Sequence, residues 1–494
     1  MALEEIREGR ISKAQKVKDT GEIVYPAVSR RSSSLSEIIK LFSKISDSKK
    51  EIVLAGRIFA IRSHGGVIFA DFKDGSFSEE NKPVSLQAYV KKENLGEEKF
   101  SFFENMVDAG DFVEFIGVLS LTKRNKKSIE VFGWRMLAKS LRPLPEKWHG
   151  LSDVEERFRK RYLDLAMSDE VYSRFVLRSK IVTEIRNFLN SRGYLEMETS
   201  MLHSVAGGAL AQPFKTHHNA LDIDLYLRIA PELYLKRLLI GGIEKVYELG
   251  RNFRNEGVDV THNPEFTMLE FYAAYQDSLF MREEVEKMLK YLVKKVFKKE
   301  SVGYEGNEIF FDKKFQVISF NEILKRYALI ADLRNITLEE LKLKAQQLGV
   351  SVDEADSKGK ISDNIFKKIC RPKIIQPTFI VDHPLDISPL AKKKEGAPDL
   401  ADRFQLILGG LELVNGFSEL NDPLEQKERF LKQQELRKAG DTEASELDEQ
   451  FVEAMEYGMP PAGGVGIGID RLAMFLLDIH NIKEAILFPT MRPK

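Results

Sequence analysis

At 494 residues the chain exceeds what one hydrophobic core organises, and its 43% apolar and 31% charged content excludes a disordered or a membrane-embedded protein. The single cysteine, Cys370, excludes a disulfide framework and a four-cysteine zinc site, so a reducing, cytoplasmic setting is expected. There is no signal-like apolar region and no run of about 18 apolar residues to span a membrane, while a net charge of -1 leaves nucleic acid open because basic residues gather in local patches.

Residues 1–50 read as a polar, mixed-charge N-terminal arm, with a helix over Leu3–Lys18 and the run Arg30-Arg31-Ser32-Ser33-Ser34. Residues 51–138 carry five short β-type runs (Ile52–Leu54, Val67–Phe72, Val84–Val90, Phe112–Leu119, Ser128–Trp134), broken by glycine and charged turns. This spacing predicts a small barrel of the OB type. Its basic loop, Lys123 to Lys127, suits either phosphate contact or a solvated turn. Residues 139–160, with Pro143 and Pro145, read as a linker. Residues 161–494 mix helical and strand patterns and predict an α+β catalytic domain. Within it, about 315–373 reads as a charged helical insertion whose clearest helix is Leu338–Leu348.

Arg178–Met201 opens as a helix with Ile181, Ile185, Phe188 and Leu189 on one face, stops near Gly193, and continues extended over Tyr194–Glu198. From Glu244 the chain reads as a strand running into the polar segment Arg251–Gly257, then His262-Asn263-Pro264-Glu265 and a second strand, Phe266–Ala274. A period of two puts Phe266, Met268, Glu270 and Tyr272 on one wall of this long-looped hairpin. One arginine alone is usually a solvated surface charge, but Arg254 stands among Glu256, His262, Asn263 and a same-face Glu270.

Phe253-Arg254-Asn255-Glu256, with Pro264-Glu265-Phe266-Thr267, resembles motif 2 of the class II aminoacyl-tRNA synthetases, and His262–Met268 resembles the lysine enzymes in particular. The resemblance implies that Arg254 grips the α-phosphate of ATP and the amino-acid carboxylate. It also implies that Glu256, His262 and Asn263 contact the nucleotide and that Phe266 stacks on adenine. The chemistry agrees, because two anionic groups are brought together only by a fixed cation, and a planar guanidinium holds oxygens of both.

Gly463–Leu472 resembles motif 3, a glycine-spaced strand leading into a helix. That likeness puts Gly468 and Arg471 on ATP, although glycines alone equally suit a tight strand–helix contact. Arg178–Met201 resembles motif 1, which implies a homodimer, with Ser200 where the family usually has proline.

A lysine pocket must meet two ammonium groups and one carboxylate separately. Ala230–Arg237, Glu270 with Tyr272, and Asn415–Pro423 resemble the lysyl enzymes. On that likeness Glu232 and the backbone of Gly208 take the α-amino group, and Glu419, Tyr272 and Glu270 take the ε-ammonium. Asn415 and Phe417 line the same pocket.

Phe404–Val414 reads as two strands around Gly409-Gly410, which puts Gln405 and Glu412 on one face. The family implies Mg²⁺ held by glutamates at both positions. With Gln405 in the first, Glu412 is expected to be the main protein ligand and the magnesium complement reduced or rearranged.

In the barrel, Arg62, Phe69 and Gln87 resemble the family's anticodon-reading face, although Lys73–Pro83 lengthens the hairpin between the last two and a buried core Phe is the plain alternative. The expected activity is therefore activation of L-lysine with ATP and its transfer to tRNA(Lys). An aspartyl or asparaginyl synthetase would offer cations where this chain offers Glu270 and Glu419. An enzyme that lysylates a protein would lack the barrel, and a non-catalytic RNA-binding relative would lose Arg254, Glu256 or Arg471.

Overall fold

A computed structural model describes residues 3–122, 124–145, 151, 153–209, 211–354, 356–438 and 446–493. Lys123 of the basic loop and residues 146–150 and 152 of the linker lie outside the described residues. The chain forms two compact units, Met1–Val176 and Leu177–Lys494, the division falling inside the helix Asp169–Ser191. Among the described residues no helix is long and apolar enough to cross a membrane.

In the first unit the helix Leu3–Asp19 precedes five strands: β1 (Ile52–His64), β2 (Val67–Phe77), β3 (Pro83–Lys91), β4 (Phe112–Leu121) and β5 (Lys127–Ala138). They close into a barrel of order β1-β2-β3-β5-β4, with the helix Glu97–Met106 between β3 and β4. Alternation fills the interior, where Leu54, Ile58, Ile68, Phe72, Val90 and Phe115 are buried.

The strands run longer than their apolar runs. β1 continues ten residues past Leu54 because Arg57, Arg62 and Ser63 can point outward while Ile58 points in. Gly56 and Gly117 sit where a side chain would strike the neighbouring strand: a Cβ would lie 2.4 Å from the Lys73 carbonyl oxygen and 1.9 Å from that of Glu130.

In the second unit a nine-stranded sheet is built from β6 (Leu195–Glu196), β7 (Lys245–Phe253), β8 (Glu265–Ala274), β9 (Gln316–Ser319), β10 (Thr378–Pro384), β11 (Ala397–Leu408), β12 (Leu411–Ser418) and β13 (Ala462–Gly468). Their order is β9-β10-β11-β12-β13-β8-β7-β6, and the short Lys393–Lys394 strand pairs onto β11. All neighbouring pairs in the path are antiparallel except β9–β10 and β7–β6.

One face of the sheet carries the main core, with Leu269, Phe271 and Ala273 of β8 packed among Ile181, Ile185 and Leu189 of the helix Asp169–Ser191. The apolar face read on that helix is thus interior to the unit.

The first four residues of the segment read as helical insertion after Phe315 are strand β9, since Val317 and Ile318 pair with Phe379 and Ile380 at the sheet edge. Helices follow from Phe320, including Leu338–Gln347 and Lys358–Ile365, and close their own core around Phe320, Leu324, Leu341, Ile365 and Phe366. Ile380 and Ile407 tie that core to the sheet.

Candidate functional site

The hairpin β7–β8 pairs from Lys245↔Ala273 to Phe253↔Glu265, so β7 extends through the stretch read as the start of the loop. β13 pairs with the other side of β8, Glu270 facing Gly466 and Tyr272 facing Gly464. The glycines answer both readings of the motif. At Gly464 a Cβ would lie 2.1 Å from Glu419 Oε1 and 2.4 Å from a Tyr272 ring carbon, so a bare strand is what lets those side chains project over it.

One cleft of about 220 Å³ is lined by Arg254, His262, Phe266, Glu412, Gly468 and Arg471. Glu256 and Asn263 border it as well. The Arg254 guanidinium lies 5.0 Å from the centre of the Phe266 ring, its Nε has no hydrogen-bond partner, and burial lowers its pKa. A buried guanidinium with donors to spare is arranged for an anion.

Arg471 Nη2 lies 2.7 Å from His262 Nε2. Arginine only donates, so that nitrogen accepts, which leaves the His262 Nδ1–H to donate to Asp259 Oδ2 at 2.8 Å. Asp470 accepts from the Thr267 backbone N–H and from Arg178, clamping the start of the motif 3 helix to β8. Asn263 Nδ2 donates to the Glu265 carbonyl at 2.6 Å and Asn263 Oδ1 is left unpartnered.

A second cluster of polar groups, buried, adjoins Arg254 through Glu270. Glu232, Glu270, Tyr272 and Glu419 are all buried. Tyr272 donates to Glu270 Oε2 at 2.8 Å. Gly208, at φ +90, is packed so that a Cβ would lie 3.2 Å from the Glu232 Cβ. Burial pushes the carboxyls of Glu270 and Glu419 up to about 8, Glu270 through its neighbour Glu232 as well, and raises Glu232. The Tyr272 phenol is raised by burial and by Glu270.

Two further charged groups, both missed in the sequence, adjoin these carboxylates, and Arg403 also lines the cleft. Lys236 is fully buried, its Nζ 2.6 Å from Glu232 Oε1 and 2.5 Å from Glu419 Oε2, and 5.4 Å from the centre of the Phe417 ring. Arg403 donates from Nε to Asn415 Oδ1 at 2.8 Å and from Nη1 to Ile387 O and Ser388 Oγ. Because Arg403 only donates, it fixes the Asn415 oxygen toward itself and frees the Asn415 Nδ2 donor.

Asn415 and Phe417 reach the site through a bulge. β11 and β12 turn at Gly409 and Gly410, both at positive φ, and pair Ile407↔Glu412 but then Leu406↔Val414, leaving Leu413 extra. In a regular strand, three positions apart, Glu412 and Asn415 would face opposite ways. With the extra Leu413, Gln405, Glu412 and Asn415 share a face while Leu413 and Val414 both enter the core. Gln405 is 3% exposed and its Oε1 has no hydrogen-bond partner. Glu412 is half-buried at the cleft, with Arg371 Nη1 4.0 Å away.

A carboxylate and an orphaned amide oxygen on one face are hard oxygen donors that fit a divalent cation sharing phosphate oxygens. No group of three or more His, Cys, Asp or Glu that would hold a metal unaided occurs among the described residues.

On the barrel, Arg62, Phe69 and Gln87 share an outer face. Phe69 is partly exposed and stacks on Tyr89, ring centres 5.0 Å apart at 6°, so it is not a core Phe. Asp71 collects Arg62 at 2.5 Å, Gln87 Nε2 at 3.0 Å and Lys126 at 2.9 Å. Asp71 and Tyr89 were missed; the period of two through Phe69 and Gln87 points to both. The lengthened hairpin is held by Asp74, which accepts from the Leu35 N–H at 2.7 Å and pairs with Arg31 at 2.9 Å.

Comparisons with known proteins bear on both units. The family of class II tRNA synthetases (D, K and N) matches residues 153–492, and an OB-fold nucleic acid binding domain matches residues 52–137. The lysine--tRNA ligase of Moorella thermoacetica is 47% identical over 485 residues, 98% of this chain and 97% of that protein. That of Carboxydothermus hydrogenoformans is 46% identical over 493 residues, 100% of this chain and 99% of that protein. That of Methanoculleus marisnigri is 45% identical over 486 residues, 98% of this chain and 94% of that protein.

Proposed function

We infer that this chain, which belongs to the class II tRNA synthetases and within them to the lysine--tRNA ligase family, is a ligase that uses ATP to activate L-lysine and loads it onto tRNA(Lys). The observation that carries the reading is Arg254, standing between an open cleft of cations and a buried pocket of carboxylates. ATP lies in the cleft, its adenine on Phe266, its phosphates met by Arg254 and Arg471, and Glu256, His262, Asn263 and the Gly468 backbone around it. Lysine lies in the pocket, the α-amino group on Glu232 and the Gly208 backbone and the ε-ammonium on Glu419, Glu270 and Tyr272. Asn415 Nδ2 and Arg254 hold its carboxylate, and Phe417 packs on the chain.

In the first step a lysine carboxylate oxygen attacks the α-phosphorus, the bond to the bridging oxygen of the β-phosphate breaks, and lysyl-adenylate and pyrophosphate result. In the second, a terminal ribose hydroxyl of tRNA attacks the acyl carbon, AMP leaves, and the hydroxyl proton passes to the leaving phosphate. No side chain need form a bond; Arg254 aligns the two anions and stabilises charge on the phosphate as it builds. Mg²⁺, held by Glu412 with Gln405 as a weaker neighbour, would neutralise phosphate charge. Arg62, Phe69 and Gln87 read the anticodon by stacking and polar contact. A homodimer through Arg178–Met201 and a cytoplasmic location complete the reading.

The test is exchange of pyrophosphate into ATP, driven by each of the twenty amino acids in turn. Lysine alone is expected to drive it. Exchange with aspartate or asparagine and none with lysine would overturn the assignment, and no exchange with any would support a non-catalytic relative.

A further inference from the structure

The buried cluster holds three glutamates that the proposed function divides between the two ends of the substrate, and a fourth charge that this function does not use. Lys236 lies one helical turn after Glu232 on the helix Glu232–Ile240, and its ammonium touches Glu232 on one side and Glu419 on the other. It is fully buried, so it cannot serve as a solvated surface charge. It ion-pairs with Glu419 Oε2, and neither Glu419 oxygen has a hydrogen-bond partner. Nothing in the fold obliges a lysine there: leucines at 233, 235 and 239 of the same helix enter an apolar cluster.

Resting on the lysine reading of this pocket, we propose that Lys236 is a positioning residue that sets which diamino acid is accepted, by holding Glu232 and Glu419 at a fixed separation through its own ammonium.

Charge and geometry both support this. Lys236 pairs with Glu232 and Glu419 and Tyr272 donates to Glu270, so acidic groups outnumber the one ammonium among them, which suits the two ammonium groups of lysine, while Arg254 answers its carboxylate. Without Lys236 the three carboxylates would lose the ammonium that stands between Glu232 and Glu419, and they would repel or take up protons. With it, each paired glutamate is anchored by one oxygen and offers the other. The distance between those two free oxygens is then a property of the protein and not of the ligand. A substrate with a shorter chain reaches one carboxylate and leaves the other unmet, and an unmet buried charge is what makes a pocket discriminate.

The experiment measures pyrophosphate exchange with lysine and with ornithine, one methylene shorter, in the full-length wild type, in Lys236→Met and in Lys236→Arg. For Lys236→Met the expected result is a lysine KM raised about 50-fold, an ATP KM within about threefold of wild type, and a lysine-to-ornithine preference that collapses about tenfold. Lys236→Arg keeps the charge and so protects the fold where Lys236→Met does not. Its larger head pushes the glutamates apart and should lower the same preference by about fivefold. A folded variant with an unchanged lysine-to-ornithine preference overturns the role, because a purely structural lysine would alter stability and leave that ratio alone. If the wild type itself shows no lysine-dependent exchange, the underlying reading falls instead.

Discussion

The two compartments that meet at Arg254 are built on opposite electrostatic plans. The cleft is open, and of its cations Arg254 keeps an unpartnered Nε while Arg471 is held by Thr261 O and His262. The lysine site is buried, and its carboxylates are met by an internal ammonium and a phenol, with Arg254 and Arg403 nearby. A polyphosphate brings its own charge and hydration and needs a wide mouth with fixed cations. An ammonium on a flexible chain is selected only where water is excluded and the counter-charges are already in place. Burial that would be wasteful in the cleft is what confers selectivity in the pocket.

The largest expected effect is at the junction itself. Arg254→Ala should slow lysine-dependent exchange about 10³-fold, and Arg254→Lys about 10²-fold, because the ammonium keeps the charge and loses the fork. If Arg254→Lys retains near-wild-type exchange, the two compartments do not depend on one bridging guanidinium. Next is Glu419→Gln, expected to raise the lysine KM about 100-fold, roughly 2.7 kcal/mol, with the ATP KM unchanged. A parallel rise in the ATP KM would show that the compartments are not separate.

A third measurement uses pH. Glu270 and Glu419, pushed up to about 8 among Glu232, Lys236, Tyr272 and Arg254, take up protons at a higher pH than ordinary carboxyls do. They must ionise to receive an ammonium, so the lysine KM should fall as pH rises from 6 toward 8 and then level, while the ATP KM follows no such curve. The same shift has a stability sign. The folded carboxyls bind protons more tightly than the unfolded ones, so this contribution is full at low pH and is lost as pH rises through about 8. The melting temperature without ligand should therefore drop from pH 6 to pH 8.5, and lysine should restore more of it at the higher pH. The smallest effect is at the cleft's edge: Gln405→Glu should lower the Mg²⁺ concentration for half-maximal exchange by about fivefold. An unchanged Mg²⁺ dependence would mean that position 405 takes no part.

Much of the active hairpin was legible in the chain. Phe266, Met268, Glu270 and Tyr272 alternate with Leu269, Phe271 and Ala273, and the sheet sends the first set to the site and Leu269, Phe271 and Ala273 to the core. The barrel was legible in its number of strands but not in their length, because β1 past Leu54 mixes polar residues that face out. Lys236 was in view, four residues after Glu232, but an i,i+4 pair on a helix is ordinarily a surface ion pair. Only the packing of that helix against β7 and β8 buries it. Asp71 read as one more charge in a strand until the register brought Arg62, Gln87 and Lys126 to it.

What the sequence alone determined is the chemistry on offer. Local period and glycine spacing are properties of neighbouring residues, and they were enough to place Phe266, Glu270 and Tyr272 on one wall and to mark Gly463–Gly468 as a glycine-spaced strand. What only the tertiary structure decided is which charges meet. The extra Leu413 in β12 turns Asn415 and Phe417 toward the site, and long-range packing closes Lys236 between Glu232 and Glu419. A one-residue change of register reverses every side chain beyond it, and the energy of a charge depends on neighbours hundreds of residues away, so neither is written in any short stretch of chain.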